Sequence, residues 1–325
     1  MTNPINIIAV GGGKGGIGKS VICTNLAAGM ALGGQKVILM DTDFGASNLH
    51  ALLGISNPPY GFQDFFNTDI TDPRSLLLNT GISNLKFVSG AGDNPGSANI
   101  DSNEIDTIIS FINQLEADTI LLDLGPGTNY NVIDFFNIST QGVVITTPEM
   151  TSIMKTFSFV RSSLFRRISL TFKDYPEIQK IVDHSNPNEA DMESYTTELL
   201  RSKFEERFPE HTDQLNSIIS EFTPGLVVNR VRNRKDLMAG DNILKLIKKF
   251  LEIEVTYLGY IIESDRIRDS IDDMIPFLIK DPKSKPSENL QQIIRALTNT
   301  DLQFVKRDGK ISVSKQVPLS SGWGV

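Results

Sequence analysis

Seven short apolar runs set the terms for this chain: "INIIAV" (5–10), "KVILMD" (36–41), "LKFVSG" (85–90), "TILLDL" (119–124), "GVVITT" (142–147), "GLVVNRV" (225–231) and "VTYLGYII" (255–262). They are short, continuously apolar and rich in Val and Ile. Strands read this way when both faces are buried, the condition of a parallel sheet covered by helices on either side. Helical patterns lie between them, such as "SVICTNLAAGMALGG" (20–34) and "EIDTIISFINQL" (104–115). The alternation predicts an α/β fold with a doubly wound, mostly parallel sheet flanked by helices. At 325 residues, 40% hydrophobic and 22% charged, the chain suits one large α/β domain with an insertion.

Two regions break the rhythm. Residues 161–224 hold no clear strand, and we read them as a helical insertion within a main domain of residues 1–300. There, "TTELLRSKFEERF" (196–208) puts Leu199, Leu200, Phe204 and Phe208 on one helical face. "DQLNSIISEF" (213–222) does the same with Leu215, Ile218, Ile219 and Phe222, and Pro209 separates the two helices. The second region is the tail, residues 301–325. Its apolar Ile311, Val313 and Val317 keep a period of two, which is strand-like.

Composition excludes several classes. No apolar run reaches the ~18 residues a membrane-spanning helix needs, and "MTNPINIIAV" lacks the basic start and apolar core of a secretory signal. Cys23 is the only cysteine, so no internal disulfide forms and a reducing cytoplasm is expected. A net charge of −8 argues against a surface that generally coats nucleic acid.

The chemistry concentrates in "GGGKGGIGKS" (11–20). Gly13 to Ser20 fits G-x-x-x-x-G-K-[ST], the phosphate-binding loop, between a strand and a helix as that motif requires. The backbone of Gly13, Gly15, Gly16, Ile17 and Gly18 would curl round phosphates, and the helix start at Ser20 and Val21 adds positive potential. Lys19 would reach the β- and γ-phosphates, and Ser20 would ligate Mg²⁺. Gly11, Gly13 and Gly16 also spell G-x-G-x-x-G, the dinucleotide fingerprint, with Asp41 further on. That reading leaves Lys19 and Ser20 unexplained.

Lys14 is a second lysine that an ordinary phosphate loop does not require. "KGGIGKS" (14–20) resembles the signature-lysine loop of the MinD/ParA family of ATPases. The resemblance implies ATP and Mg²⁺ as cofactors and an ATP-dependent homodimer in which Lys14 reaches the partner's nucleotide. "DTDFGASNLHALLG" (41–54) resembles the family's first switch, which makes Asp43 both the residue that orients the attacking water and a contact to the Mg²⁺, with Asn48 in support. "LLDLGPGT" (121–128) has an acid at the end of a buried strand. Asp123 would hold Mg²⁺ through water, and Gly127 would let the next loop sense the γ-phosphate. Where GTPases carry N-K-x-D, this chain has Asn229-Arg-Val-Arg232. A guanidinium only donates hydrogen bonds, so Arg232 cannot read guanine; adenine is expected, with Asn229 its contact.

"NVIDFFNISTQGVVITTPEMTSI" (131–153) is similar to the flagellar-number regulators FlhG and FleN of this family. That similarity implies a slow, partner-stimulated ATPase acting as a switch for flagellar number or another polar structure, through a protein partner that could recruit it to a pole or membrane. The alternatives are a ParA-like DNA partition ATPase and a membrane-cycling MinD-type division-site regulator. Arg230, Arg232, Arg234 and Lys235 form a basic cluster, as do Lys245, Lys248 and Lys249. Against the acidic whole, strong DNA binding is not expected. Only four residues precede the first strand, so the partner-stimulating leader of FlhG is not expected. The tail lacks an apolar helical face and is not expected to bind membrane. Trp323 reads as a partner handle or an unfolded end. His50, His184 and His211 lack metal-ligand spacing, and one cysteine excludes a cluster carrier that needs a cysteine pair.

Overall fold

The computed structural model describes residues 4–45, 48–62, 64, 72–90, 102–184, 196–307 and 310–318. All seven apolar runs are strands: β1 (Asn6–Gly11), β2 (Val37–Thr42), β4 (Leu85–Val88), β5 (Thr119–Leu124), β6 (Gln141–Thr146), β7 (Gly225–Val231) and β8 (Thr256–Ile262). A two-residue β3 (Leu78–Asn79) adds an antiparallel edge that the sequence pattern did not announce. The sheet order is β3-β4-β2-β5-β1-β6-β7-β8, parallel apart from β3. β1 lies between β5 and β6. The chain passes to one side of β1 toward β2 and crosses to the other side after β5. Open α/β sheets open a crevice at the carboxyl ends of strands at such a point, and the glycine-rich loop leaves β1 there.

Successive residues of each strand feed opposite cores. Ile7, Ala9, Ile120 and Leu122 belong to one apolar cluster, while Ile8, Val10, Leu121 and Val143 belong to the other. That two-sided burial is why the strands show no polar alternation. Helix α1 (Lys19–Leu32) lies in the second core with α11 (Phe277–Lys280) and α12 (Lys285–Thr298). The first core takes α3 (Ser102–Ile112), α4 (Tyr130–Asn137), α5 (Met150–Thr171) and α9 (Arg234–Leu251). A four-residue α2 (Leu49–Leu52) follows β2, and α10 (Asp265–Asp272) follows β8.

Residues 161–224 contain no strand among the described residues. The second half of α5 is followed by α6 (Pro176–His184), α7 (Thr197–Arg207), a 3₁₀ turn at Pro209–His211 and α8 (Thr212–Glu221). α5 runs unbroken through position 161, so the helical segment grows out of a core helix. Ile178, Leu200, Phe204, Leu215 and Ile218 join the first core, and Phe172 packs edge-on against Phe204 at 5.4 Å. One expectation fails here. Leu200 and Phe204 are buried, but Leu199 is 41% exposed. The buried side follows a spacing of four through Phe208, and Leu199 sits about 100° away from Leu200 round the helix.

The tail forms a hairpin, β9 (Thr300–Arg307) with β10 (Lys310–Pro318), paired antiparallel with a register shift between Val313 and Lys315. Ile311, Val313 and Val317 all lie on β10, as their period of two predicts. Trp323 falls outside the described residues. Among the described residues no helix is long and apolar enough to cross a membrane.

Candidate nucleotide site

The loop from Gly12 to Gly18 takes its shape from where a side chain cannot go. Gly16 and Gly18 have φ of 73° and 92°, in the left-handed region that favours glycine. Gly13 is pressed against α5, where a Cβ would stand 2.0 Å from the Lys155 carbonyl oxygen. Gly18 caps α1 with no side chain to occupy the first-turn amides, and that turn holds no acid. A helix end left in this state is an anion site.

Lys19 opens α1 and is 7% exposed. Burial lowers its pKa, while Asp123 and Asp43 pull it back up. The Ser20 side chain lies near the Asp123 carboxyl and works to lower its pKa. Asp123 is the penultimate residue of β5, and the parallel register places it directly beside Asp41, the penultimate residue of β2. Burial pushes the Asp123 carboxyl well above the usual carboxylate range, and the Asp41 charge adds to that. Its Oδ1 is buried with no hydrogen-bond partner. Two adjacent acids, a serine hydroxyl and an orphaned carboxylate oxygen are oxygen donors suited to Mg²⁺. The residues present therefore fit the metal.

Asp41 was missed as a site residue. It is 1% exposed and accepts the Asp43 amide at 3.0 Å and the Leu49 amide at 3.2 Å, so it shapes the turn that carries Asp43. The only signal in the sequence was its alternation with Asp43 at a strand end. Asp43 itself is half-buried, and its carboxylate lies against Gly125, whose Cβ position is 3.4 Å from the Asp43 Cγ. The segments after β2 and β5 thus meet at Asp43. Gly127 follows with φ 96° and open space around it. Asn48 stands exposed at the N-cap of α2.

Lys14 does not join this cluster. Its Nζ donates to Thr151 Oγ1 at 3.2 Å, at the solvent-facing start of α5. The two lysines of the loop have opposite settings, Lys19 buried among acids and Lys14 at the rim.

A cavity of about 720 Å³ opens beyond Gly18 and Val21, between the ends of β7 and β8 and α10. The register of β7 against β8 shifts between Val228 and Val231, and Arg230 has φ 58°. This bulge aims Asn229 inward, where its Nδ2 donates to the Ile17 carbonyl at 2.7 Å. The amide nitrogen thus braces the phosphate loop, while the residue also lines the cavity. Arg232 lies at the same mouth and is ion-paired with Glu263. Ile262, the last residue of β8, lines the cavity too.

A parallel sheet with a glycine-rich anion loop after its central strand, and a buried acid near the end of the neighbouring one, defines a P-loop nucleoside triphosphatase. The comparisons narrow the class. The ParA family model, described as "NUBPL iron-transfer P-loop NTPase", matches residues 3–169, and the chain belongs to this family. It is 30% identical over 148 residues to the septum site-determining protein MinD of Synechocystis, covering 45% of this chain and 55% of that protein. It is 27% identical over 161 residues to the antiactivator FleN of Pseudomonas aeruginosa, covering 49% of this chain and 56% of FleN. The matches therefore span about half the length of these relatives. Among solved structures, MinD of Pyrococcus horikoshii complexed with Mg-ADP superposes with a TM-score of 0.62 at 18% identity, over 90% of this chain and 96% of that one.

Proposed function

We propose that the chain is a Mg²⁺-dependent ATPase that dimerises on ATP and acts as a regulatory or positional switch through a protein partner. The carrying observation is the placement of Lys14. It lies outside the cluster formed by Lys19, Ser20, Asp43 and Asp123, on a rim that a second subunit could cover. That rim carries apolar side chains facing solvent: Met150 is 68% exposed and Met154 37% exposed on either side of Thr151, and Tyr130 is 67% exposed at the start of α4. Closing two such faces would bury them and bring each Lys14 to the other subunit's phosphates, where a charge supplied in trans can be worth ~10³–10⁵ in rate.

Ser20, Asp123 and Asp41 would hold Mg²⁺, which neutralises charge on the β- and γ-phosphate oxygens when bound. Lys19 would contact the same phosphates within one subunit, and Asp43 would orient the attacking water. The cavity beyond Val21 suits a nucleobase. Because Asn229 commits its nitrogen to Ile17, its amide oxygen is the atom that would accept from the adenine amino group. The resemblance to FleN supports control of flagellar number or of another polar structure; the resemblance to MinD supports placement of a division site.

Substituting Asp43→Ala should slow turnover while leaving phosphate contacts in place, and so trap the dimer. Light scattering with saturating ATP reads this directly. A variant that binds ATP and remains monomeric would refute the switch. Affinity capture with the trapped dimer and with the nucleotide-free protein would then show which partner binds only the dimer.

A further inference from the structure

Asn25 is a buried polar residue in the middle of α1, 2% exposed, with no part in the phosphate site. Its two amide atoms face in different directions. Nδ2 donates to the Val21 carbonyl at 2.8 Å, one turn back in α1. Oδ1 accepts the backbone amide of Leu278 at 3.0 Å, in a buried contact. Leu278 is the second residue of α11; the Ile279 and Lys280 amides donate to the carbonyl of the N-cap Pro276, whereas the Leu278 amide lies too early in the helix for an intrahelical acceptor and donates to Asn25 instead. Asn25 therefore satisfies from another helix an amide that would otherwise be buried unpaired.

The neighbour of Leu278 gives this contact a functional meaning. Phe277 is 1% exposed and lines the cavity beyond the phosphate loop, with Val21, Ile22, Ile261, Ile267 and Ile271. Val21, the other end of the Asn25 bridge, lines the same cavity. One turn further along α1, a Cβ at Gly29 would come within 2.9 Å of Leu278 Cδ2, so α11 lies flush on α1. The helix that begins at the phosphates thus sets, through one side chain, the height of the apolar wall facing the base.

We propose that Asn25 is a positioning residue for base selection: it fixes the α11 turn and so holds Phe277 as the apolar wall against which the nucleobase is read. This rests on the reading of the cavity as the seat of the base. The wall contributes to the base and not to the phosphates. Loss of the Asn25 contact should therefore cost affinity only for ligands that carry a base, and should blur the choice among bases.

The test measures dissociation constants of ATP, GTP and inorganic tripolyphosphate, with Mg²⁺, for the full chain and for Asn25→Ala and Phe277→Leu. The expected wild-type result is tighter binding of ATP than of either comparison ligand. In Asn25→Ala, ATP affinity should fall about tenfold, as for an unpaired buried amide, the ATP-to-GTP preference should shrink, and tripolyphosphate should change less than twofold. Phe277→Leu, which leaves the Asn25 hydrogen bonds intact, should reproduce this selective loss and covers the case in which Asn25→Ala fails to fold. Equal losses for ATP and tripolyphosphate would show a merely structural role and overturn the proposal, as would unchanged ATP preference in both variants. If the wild type binds ATP and tripolyphosphate alike, the cavity is not a base site, and the underlying reading falls first.

Discussion

Replacing Gly18 with alanine attacks the phosphate loop at a point where two costs can be separated. Gly18 has φ 92°, and a side chain there costs ~1–2 kcal/mol in backbone strain. The new Cβ would also lie 2.4 Å from Asn229 Nδ2, which donates to the Ile17 carbonyl at 2.7 Å. The two cannot coexist, so the amide must swing away and leave buried polar atoms unpaired, at ~1–3 kcal/mol. Together the loop's binding-competent shape loses about 2–5 kcal/mol, or roughly thirtyfold to a few thousandfold in nucleotide affinity. Asn229→Ala alone removes the bond to Ile17 and the proposed adenine contact, both of which the swung amide of Gly18→Ala also loses, without adding backbone strain, and should cost ~1–3 kcal/mol. The double variant then pays strain once and the lost bond once. It should bind about as well as Gly18→Ala alone, so the cycle carries an interaction of ~1–3 kcal/mol. Calorimetric titration of ADP with Mg²⁺ into the four proteins measures this. Additivity within about 0.5 kcal/mol would show that Asn229 does not brace the loop. Gly18→Ala binding within threefold of wild type would refute the strain argument.

The two loop lysines should fail differently. Lys19→Ala should lose nucleotide binding, whereas Lys14→Ala should keep it and lose turnover and dimerisation; equally poor ATP binding by both would remove the trans role of Lys14. Asp41→Asn should weaken nucleotide binding in Mg²⁺ while leaving metal-free binding nearly unchanged, as read by titrations with and without EDTA. The trapped Asp43→Ala dimer should show no tight binding to non-specific duplex at physiological salt. Arg232 is already paired with Glu263, Lys248 pairs with Glu254 and Lys249 stacks on Phe250; a steep salt dependence, with a log–log slope of about −0.9 per phosphate contact, would favour DNA as a track. The same protein should bind anionic vesicles weakly, and binding lost on deletion of residues 303–325 would instead favour membrane cycling.

Much of this architecture was legible because it is local. Each central strand is a continuous apolar run, and burial on both faces leaves no other pattern for a parallel sheet to write. The phosphate loop was legible for the same reason, since its strand, glycines, lysine and helix are contiguous. What escaped depends on partners far apart in the chain. β3 is two residues long and gains its identity only from pairing with β4. Leu199 reads as apolar on an apolar face, and only the docking of α7 shows that the buried side runs through Leu200 and Phe204. Asp41 looked like the end of a strand until the register of β2 on β5 set it beside Asp123. Two buried acids side by side repel; the Asp43 and Leu49 amides offset this at Asp41, while Asp123 Oδ1 has no hydrogen-bond partner. Their placement beside Ser20 and Lys19 is what supports the proposed cation site. Asn25 poses the complementary case. An amide in a helix otherwise rich in alanine and leucine carries no motif, and its partner amide lies 253 residues away. Such a contact is invisible to spacing, yet it joins the phosphate helix to the wall of the neighbouring cavity. In the proposed site the phosphate-binding residues are therefore written in short stretches of sequence, whereas the residues proposed to select the base are distributed across the fold, through α1, α11 and the bulge at Asn229.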